Sequence, residues 1–412
     1  MRAIAIILSL FSVGCVNTGT TTTPCVCPCD TTATGTTPVT SFMFGVNTNT
    51  WQPVDRQTSF KTVRMYQLSG SFYTKSGWYG QPLLQGQKQF LGLDDYLMAM
   101  KKAGTDVVFT LTGSPDYLNG QTEGYRTNNW PPVNVGGGRT NPAAYSEFAE
   151  ICRAVAIRYG GRQHPVGSYK IDPAGPRWNG DAPQQYKSGL GLIKYIEPGN
   201  EWDRWWDRGT PKYMTSEEQA ALMLACYDAI KFADPGMKVV TPGLTGFDLK
   251  RLEEIEAWCN AIGRKFPADV VNVHHYSSTG NVKGKHPPTW QVNSGCSPDN
   301  DKDFDTVKDI VTWAKDRGMP VWVTEFGYDT NPGSQLYPSE LGMKTAEQVQ
   351  ADWLVKSITL YRKFGVERAY VFTLADEPNP NSGTFTSSGV LFGESSGYGE
   401  KAAFSALKAL NE

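Results

Sequence analysis

The chain has 412 residues, with 39 Lys+Arg against 41 Asp+Glu and a formal net charge of −2. It lacks the basic surplus with which a nucleic-acid-binding domain neutralises phosphates, which argues against such a partner. Hydrophobic residues make up 40% and charged residues 19%, ordinary for a folded soluble protein, and 12 Trp, 19 Tyr and 18 Phe exclude a disordered chain.

Met1–Gly14 carries Arg2 and then an apolar run, Ala3–Phe11. The run is too short to span a bilayer as a helix and reads as a secretory signal. It ends Ser12-Val13-Gly14-Cys15, which resembles a bacterial lipoprotein signal, whose cysteine becomes the lipidated first residue of the mature protein. Ser12 stands where that pattern usually has Leu, and a plain signal peptide cleaved nearby is the alternative. The resemblance implies export, with residues 1–15 as signal and a lipid anchor on a bacterial membrane or cell surface. Residues 16–41 are rich in Thr with almost no charge, a composition that buries no core and predicts a solvated tether. Cys25, Cys27 and Cys29 lie in it with no His or further Cys near enough to complete a tetrahedral metal set, so crosslinking or no role is the expectation.

From residue 42 to 412, β-rich runs alternate with amphipathic helical stretches. Strands are predicted at Phe44–Asn47, Thr62–Tyr66, Val107–Leu111, Ile193–Glu197, Lys238–Thr241, Val270–Tyr276, Val321–Glu325 and Arg368–Thr373. Helices are predicted at Asp94–Ala103, Pro142–Tyr159, Ser216–Ala233, Leu249–Ile262, Asp305–Arg317, Ala346–Phe364 and Lys401–Leu410, from apolar residues three and four apart. Thr215-Ser216-Glu217-Glu218 reads as a helix start and Asp234-Pro235-Gly236 as a stop. Cys152 and Cys226 fall in helical patterns as buried thiols; whether Cys259 and Cys296 pair is left open.

Eight strands joined by helices predict parallel strands with right-handed crossovers, closed as an α/β (β/α)8 TIM barrel that forms one catalytic domain over 42–412. An open doubly wound sheet is the alternative, but no Gly-rich dinucleotide fingerprint follows the first strand. The long connections 67–92, 112–141, 277–304, 326–345 and 374–398 all follow strands, so they crowd the barrel face where sites are built. The segment 160–192 lies between a helix and the next strand and has no functional account.

Two strands end in carboxylates. The fourth ends Ile196-Glu197-Pro198-Gly199-Asn200-Glu201-Trp202-Asp203, and the seventh runs Val321-Trp322-Val323-Thr324-Glu325-Phe326-Gly327. A Glu closing an apolar strand is costly unless partnered or used. Strands four and seven face each other across an eight-stranded ring, so Glu201 and Glu325 meet over the mouth. Glycoside hydrolysis needs this pairing, one acid for the departing oxygen and one carboxylate for the sugar carbon.

These motifs resemble the clan A glycoside hydrolases, retaining (β/α)8 enzymes that include families five and thirty-nine. The resemblance implies Glu201 as acid/base, Asn200 as ligand of the sugar 2-hydroxyl and Glu325 as nucleophile. It implies Arg64 of Val63-Arg64-Met65-Tyr66 as a hydrogen-bond partner of that nucleophile, and His274 and Tyr276 as the clan's His-x-Tyr. By strand alternation Asn272, His274 and Tyr276 share one face and His275 the other, which weakens a His-His metal pair. Trp202 stands where family five commonly has Pro. The eighth strand carries Phe372 where the clan often has a Trp floor under the reacting sugar.

Trp78, Tyr79, Trp130, Trp202, Trp205, Trp206 and Trp290 fall in the loops expected at the mouth. Flat rings pack on the apolar faces of sugars, so the expectation is a carbohydrate substrate of several units, a poly- or oligosaccharide attacked internally by double displacement. The cluster Trp202, Trp205 and Trp206, directly after the acid/base, is its firmest part. No cofactor and no metal are implied, and the four His residues are few for a metal-dependent hydrolase. A non-catalytic carbohydrate-binding protein on the same barrel is the alternative function. The sugar, the linkage and the oligomeric state are not legible.

Overall fold

The structure, a computed structural model, describes residues 42–80, 92–119, 130–174, 184–279, 295–338 and 341–411. The leader, the tether with Cys15, Cys25, Cys27 and Cys29, and Trp290 and His286 lie outside the described residues.

Among the described residues eight parallel strands form one sheet: β1 Met43–Thr48, β2 Thr62–Leu68, β3 Asp106–Thr112, β4 Tyr195–Pro198, β5 Lys238–Val239, β6 Val271–His274, β7 Val321–Phe326 and β8 Arg368–Val371. Their spatial order, β5-β4-β3-β2-β1-β8-β7-β6, is chain order wrapped on itself. Bridges Val240–Val270 and Leu244–Val273 join the two ends. The fold is a (β/α)8 barrel, and the eight predicted strands are the eight observed, with ends shifted by at most two residues.

Among the described residues seven longer helices pack outside: α1 Leu93–Ala103, α2 Ser146–Tyr159, α3 Ser216–Ala233, α4 Leu249–Ala261, α5 Phe304–Lys315, α6 Ala346–Phe364 and α7 Ala402–Asn411. Their starts follow capping chemistry. Thr215 and Glu218 close a reciprocal capping box on α3, and Thr345 and Gln348 do the same on α6. Helix α6 ends at Gly365, whose φ of 89° is a left-handed conformation that glycine adopts without a Cβ penalty.

Two apolar layers result. The outer one lies between strands and helices and includes Val63, Val107, Val273, Val321 and Val323. The inner one fills the lower barrel with Val108, Val240, Val270, Trp322 and Tyr370, against Tyr195. Arg368 lies over the Tyr195 and Trp322 rings, 4.5 and 4.7 Å from their centroids. The barrel is therefore packed from below, and polar groups on the inward face gather toward the strand C-termini. Cys152, Cys226 and Cys259 are buried free thiols, and Cys296 is buried.

Candidate active site

The site is built on Arg64, a fully buried guanidinium on β2. Its Nε and Nη2 each donate at 2.7 Å to Glu197 on β4, a bidentate pair. Nη2 also donates to Asn200 Oδ1 at 2.6 Å, and Nη1 donates to Asn47 Oδ1 at 3.0 Å and to Glu325 Oε1 at 2.8 Å. One cation thus ties β1, β2, β4 and β7 together. Glu197 receives further bonds from Thr110 Oγ1 at 2.7 Å, Asn272 Nδ2 at 2.8 Å and the Gly243 amide at 3.0 Å. A buried carboxylate with every lone pair engaged is a structural anchor.

Glu325 reaches the mouth through an irregularity in β7. Strand alternation places Glu325 with Val321 and Val323, which face the helices. The pairing of β7 with both neighbours shifts register here: Val273 pairs with Val323 but His274 with Glu325, and Ala369 pairs with Val323 but Val371 with Phe326. One extra residue on β7 turns both Thr324 and Glu325 inward. Thr324 Oγ1 donates to Asn272 Oδ1 at 2.6 Å, and Glu325 lies among Arg64, Tyr66 and Tyr276. Re-aiming a side chain is the usual effect of a β-bulge beside a functional site.

The Tyr66 hydroxyl donates to Glu325 Oε1, and the Tyr276 hydroxyl to Oε2 at 2.7 Å. Burial alone would raise the carboxyl pKa. The charges of His274 and Arg64 and the two tyrosine bonds outweigh it and hold Glu325 below its ordinary value.

Glu201 follows the end of β4 with φ 52°, a left-handed conformation uncommon outside glycine. Its amide donates to Gly243 O at 2.8 Å, holding this turn. Its Oε1 lies 2.7 Å from His274 Nδ1. Burial pushes the Glu201 carboxyl above its ordinary value, and the charges of Glu325 and Asp203 add to the rise against the His274 contact. His274 Nε2 lies 3.4 Å from Glu325 Oε1, so the imidazole stands between the two carboxylates. Burial opposes its charge, but the two carboxylates raise its pKa, so its charged form is favoured. One oxygen of Glu201, one of Glu325 and one nitrogen of His274 all lie within 4.8 Å of one another. Such a triad has the spacing of a cation site. The guanidinium already bonded to Glu325 Oε1 supplies positive charge there and disfavours a second cation.

Glu201, Glu325, Asn200, Arg64, His274 and Tyr276 are thus gathered at one place. His275 points to the opposite face, with Nδ1 2.7 Å from the Tyr361 hydroxyl and Nε2 2.8 Å from Asp301 Oδ2. Phe372 is half-buried, and its ring meets Tyr66 edge-on at 6.3 Å.

The tryptophans depart from expectation. Trp202 is fully buried and leaves no face for a ligand; its indole fills the space over Gly199, where a Cβ would lie 2.1 Å from its Nε1. Trp78 is likewise a core residue, packed on Phe72 and Tyr159. Trp205 is half-buried and Trp206 is 54% exposed, paired edge-to-face on the short helix Trp205–Asp207.

Five residues of the site were not singled out from the sequence: Asn47, Tyr66, Thr110, Glu197 and Phe385. Tyr66 lies two residues after Arg64, a signal that strand alternation offered. Phe385 offered none. It sits in the loop after β8 at φ 71°, with its ring 4.9 Å from Tyr276 and 5.8 Å from Phe372. Asp329 accepts from its amide at 2.7 Å and from that of Ser387 at 3.3 Å. Tyr66, Phe372, Phe385 and Tyr276 form a continuous aromatic wall that closes on both oxygens of Glu325.

No family model and no curated protein sequence matches the chain. Its fold is shared with solved structures. A family 39 glycoside hydrolase from Bacteroides cellulosilyticus WH2 superposes with a TM-score of 0.54 at 13% identity, over 90% of this chain and 63% of that one. A β-xylosidase from Caulobacter crescentus CB15 gives 0.58 at 15% identity, over 90% and 68%. A hyperthermophilic β-glucosidase mutant gives 0.54 at 11% identity, over 89% and 99%. The chain thus spans less than two thirds of the first of these. At such identities the likeness establishes the barrel, and the chemistry has to be argued from the side chains.

Proposed function

We propose that the chain is a retaining glycoside hydrolase, cleaving O-glycosidic bonds of an oligo- or polysaccharide by double displacement. One observation carries this reading. Two glutamates from opposite strands present oxygens within 4.8 Å of each other, and their surroundings push one pKa up and the other down. Divergent pKa values assign the roles of acid and base. Direct attack needs carboxyls roughly 5–5.5 Å apart, whereas an interposed water needs roughly 6.5–9.5 Å.

In the first step a Glu325 oxygen attacks the anomeric carbon. The bond to the departing oxygen breaks, and Glu201 delivers its proton to that oxygen. Arg64, Tyr66 and Tyr276 hold the attacking carboxylate ionised and oriented. Once Glu325 is esterified its negative charge is gone, the Glu201 pKa falls, and Glu201 takes a proton from water. The water oxygen then attacks the anomeric carbon and releases Glu325. In this reading Asn200, held by Arg64, binds the 2-hydroxyl, and Phe372 with Phe385 forms the floor under the sugar. The solved enzymes sharing the fold include a β-xylosidase and a β-glucosidase, which supports a carbohydrate substrate. Internal attack loses support, because Trp78 and Trp202 are core residues.

Assay on a panel of aryl glycosides, with Glu325→Gln as control, tests the proposal. Turnover with net retention by NMR, abolished in the variant, is the expected result. Inversion of configuration, or wild-type rates in the variant, would overturn it. We also propose export with a lipid anchor on Cys15; no helix among the described residues is long and apolar enough to cross a membrane. Metabolic labelling with palmitate should mark the full chain and not Cys15→Ser.

A further inference from the structure

We propose that a cavity at the tips of β2 and β3 binds a neutral sugar unit, adjacent in the chain to the one held over Glu201 and Glu325. The inference rests on the glycosidase reading and deepens it, because it makes the substrate a saccharide of at least two units.

Position is the first argument. Tyr66 and Thr110 are register partners on β2 and β3. The first bonds Glu325 and the second Glu197, so they belong to the catalytic layer. Leu68 and Thr112, partners two residues further on, line a cavity of about 240 Å³. A strand advances about 3.3 Å per residue, so this floor lies about 7 Å beyond the catalytic layer, on the same inward face. That is close enough for a ring joined directly to the one over the glutamates to reach it.

The lining chemistry is the second. Tyr73 and Tyr117 supply flat apolar faces, and Ser69, Thr112 and Ser114 supply hydroxyls. Ser69 Oγ donates to Gly113 O at 3.0 Å, which leaves its oxygen lone pairs to accept from a ligand hydroxyl. Among the described residues lining the cavity none carries a charge. Aromatic faces interleaved with hydroxyls suit a neutral sugar, whereas a uronate or a phosphate would call for a lining cation.

The wall is also built in advance. Tyr73–Thr74 pairs with Gly77–Trp78 as a hairpin. Trp78 is fully buried among Phe72, Tyr159 and Tyr169, with the Arg158 guanidinium 5.0 Å from its ring centroid. The Trp78 amide donates to Lys170 O at 2.8 Å, and the Asp172 amide to Trp78 O at 2.9 Å. Thr74 Oγ1 donates to the Asp172 carboxylate. Gly77 at φ 129° admits this approach, since a Cβ there would lie 2.5 Å from Lys170 O. The first part of segment 160–192, which had no functional account in the sequence, therefore clamps the cavity wall.

The test compares aryl β-monosides with the matching aryl biosides of xylose and glucose, counting cleavage of either bond. The outcome then does not depend on which side of the scissile bond the cavity serves. Wild-type kcat/KM should be higher on a bioside than on its monoside by about threefold to tenfold, the worth of one aromatic stacking contact. Ser114→Leu, which fills the cavity, and Tyr117→Ala, which removes a ring, should each abolish that preference. Both should still melt in a single cooperative transition, as the wild type does. Turnover without a chain-length preference, or a preference that survives in both variants, would overturn the subsite alone. Inactivity on every probe would overturn the glycosidase reading and the subsite with it.

Discussion

Replacing Glu197 by Gln separates the anchoring glutamate of β4 from the reacting one four residues later. Glu197 is fully buried and accepts three hydrogen bonds at Oε1, from Arg64 Nη2, Gly243 N and Asn272 Nδ2, and two at Oε2, from Arg64 Nε and Thr110 Oγ1. In either orientation a Gln amide turns an N–H toward an Arg64 N–H and leaves the guanidinium short of one compensating charge. Breaking a buried ion pair by removing one partner costs about 3–5 kcal/mol. With about 2.1 cal/mol/K of unfolding entropy per residue over residues 42–412, each kcal/mol lowers the melting temperature by about 1.3 °C, so the expected drop is about 4–6 °C. Scanning calorimetry reads it directly. Glu201→Gln is the comparison: the Glu201 side chain is 18% exposed and its neutral form is favoured, so that variant should lose activity and hold its midpoint. Glu197→Gln melting within about 1 °C of wild type would refute the assignment of Glu197 as the anchor.

Gly243→Ala places a Cβ 2.2 Å from His274 Nε2. The displaced imidazole should cost about 1–3 kcal/mol of stability and, through Glu201, about a hundredfold in kcat/KM; unchanged kinetics would contradict the packing described. The pH profile should be a bell. Its acid limb, where Glu325 takes up a proton, lies below the ordinary carboxylate range, and its basic limb, where Glu201 loses one, lies above it. His274 lowers both pKa values, so His274→Gln should move both limbs to higher pH; an acid shift of either would contradict this. Phe385→Ala removes the ring between Tyr276 and Phe372 and should lower kcat/KM by about threefold to tenfold with little change in melting temperature, which steady-state kinetics and calorimetry together will show.

The barrel was legible because its signals are local. β-rich runs recur eight times with amphipathic helical stretches between them, and no single misplaced end, such as β6 stopping at His274 rather than Tyr276, changes the topology. Glu201 and Glu325 were legible as carboxylates at strand ends, and Arg64, His274 and Tyr276 through the family resemblance that those motifs carry. What was not legible depends on meetings between distant segments. Alternation along β7 puts Glu325 on the helix side, and the bulge that returns it to the mouth shows only in the pairing with β6 and β8. Glu197 is defined by partners on β2, β3 and β6. Phe385 is defined by a backbone conformation that Asp329 imposes from 56 residues away. Trp202 illustrates the reverse error: a large ring beside a reacting group is as readily a core residue, and here the space over Gly199 takes it inward.

The pairing of Glu201 with Glu325 over one sugar is tested most directly by trapping the covalent intermediate. A 2-deoxy-2-fluoro aryl glycoside of a hydrolysed sugar slows both steps and lets the glycosyl-enzyme accumulate, and peptide mass spectrometry then locates the label. The account predicts one fluoroglycosyl group, on Glu325, formed more slowly in Arg64→Lys. A label on Glu201, on Glu197 or on any residue outside β7 would contradict it.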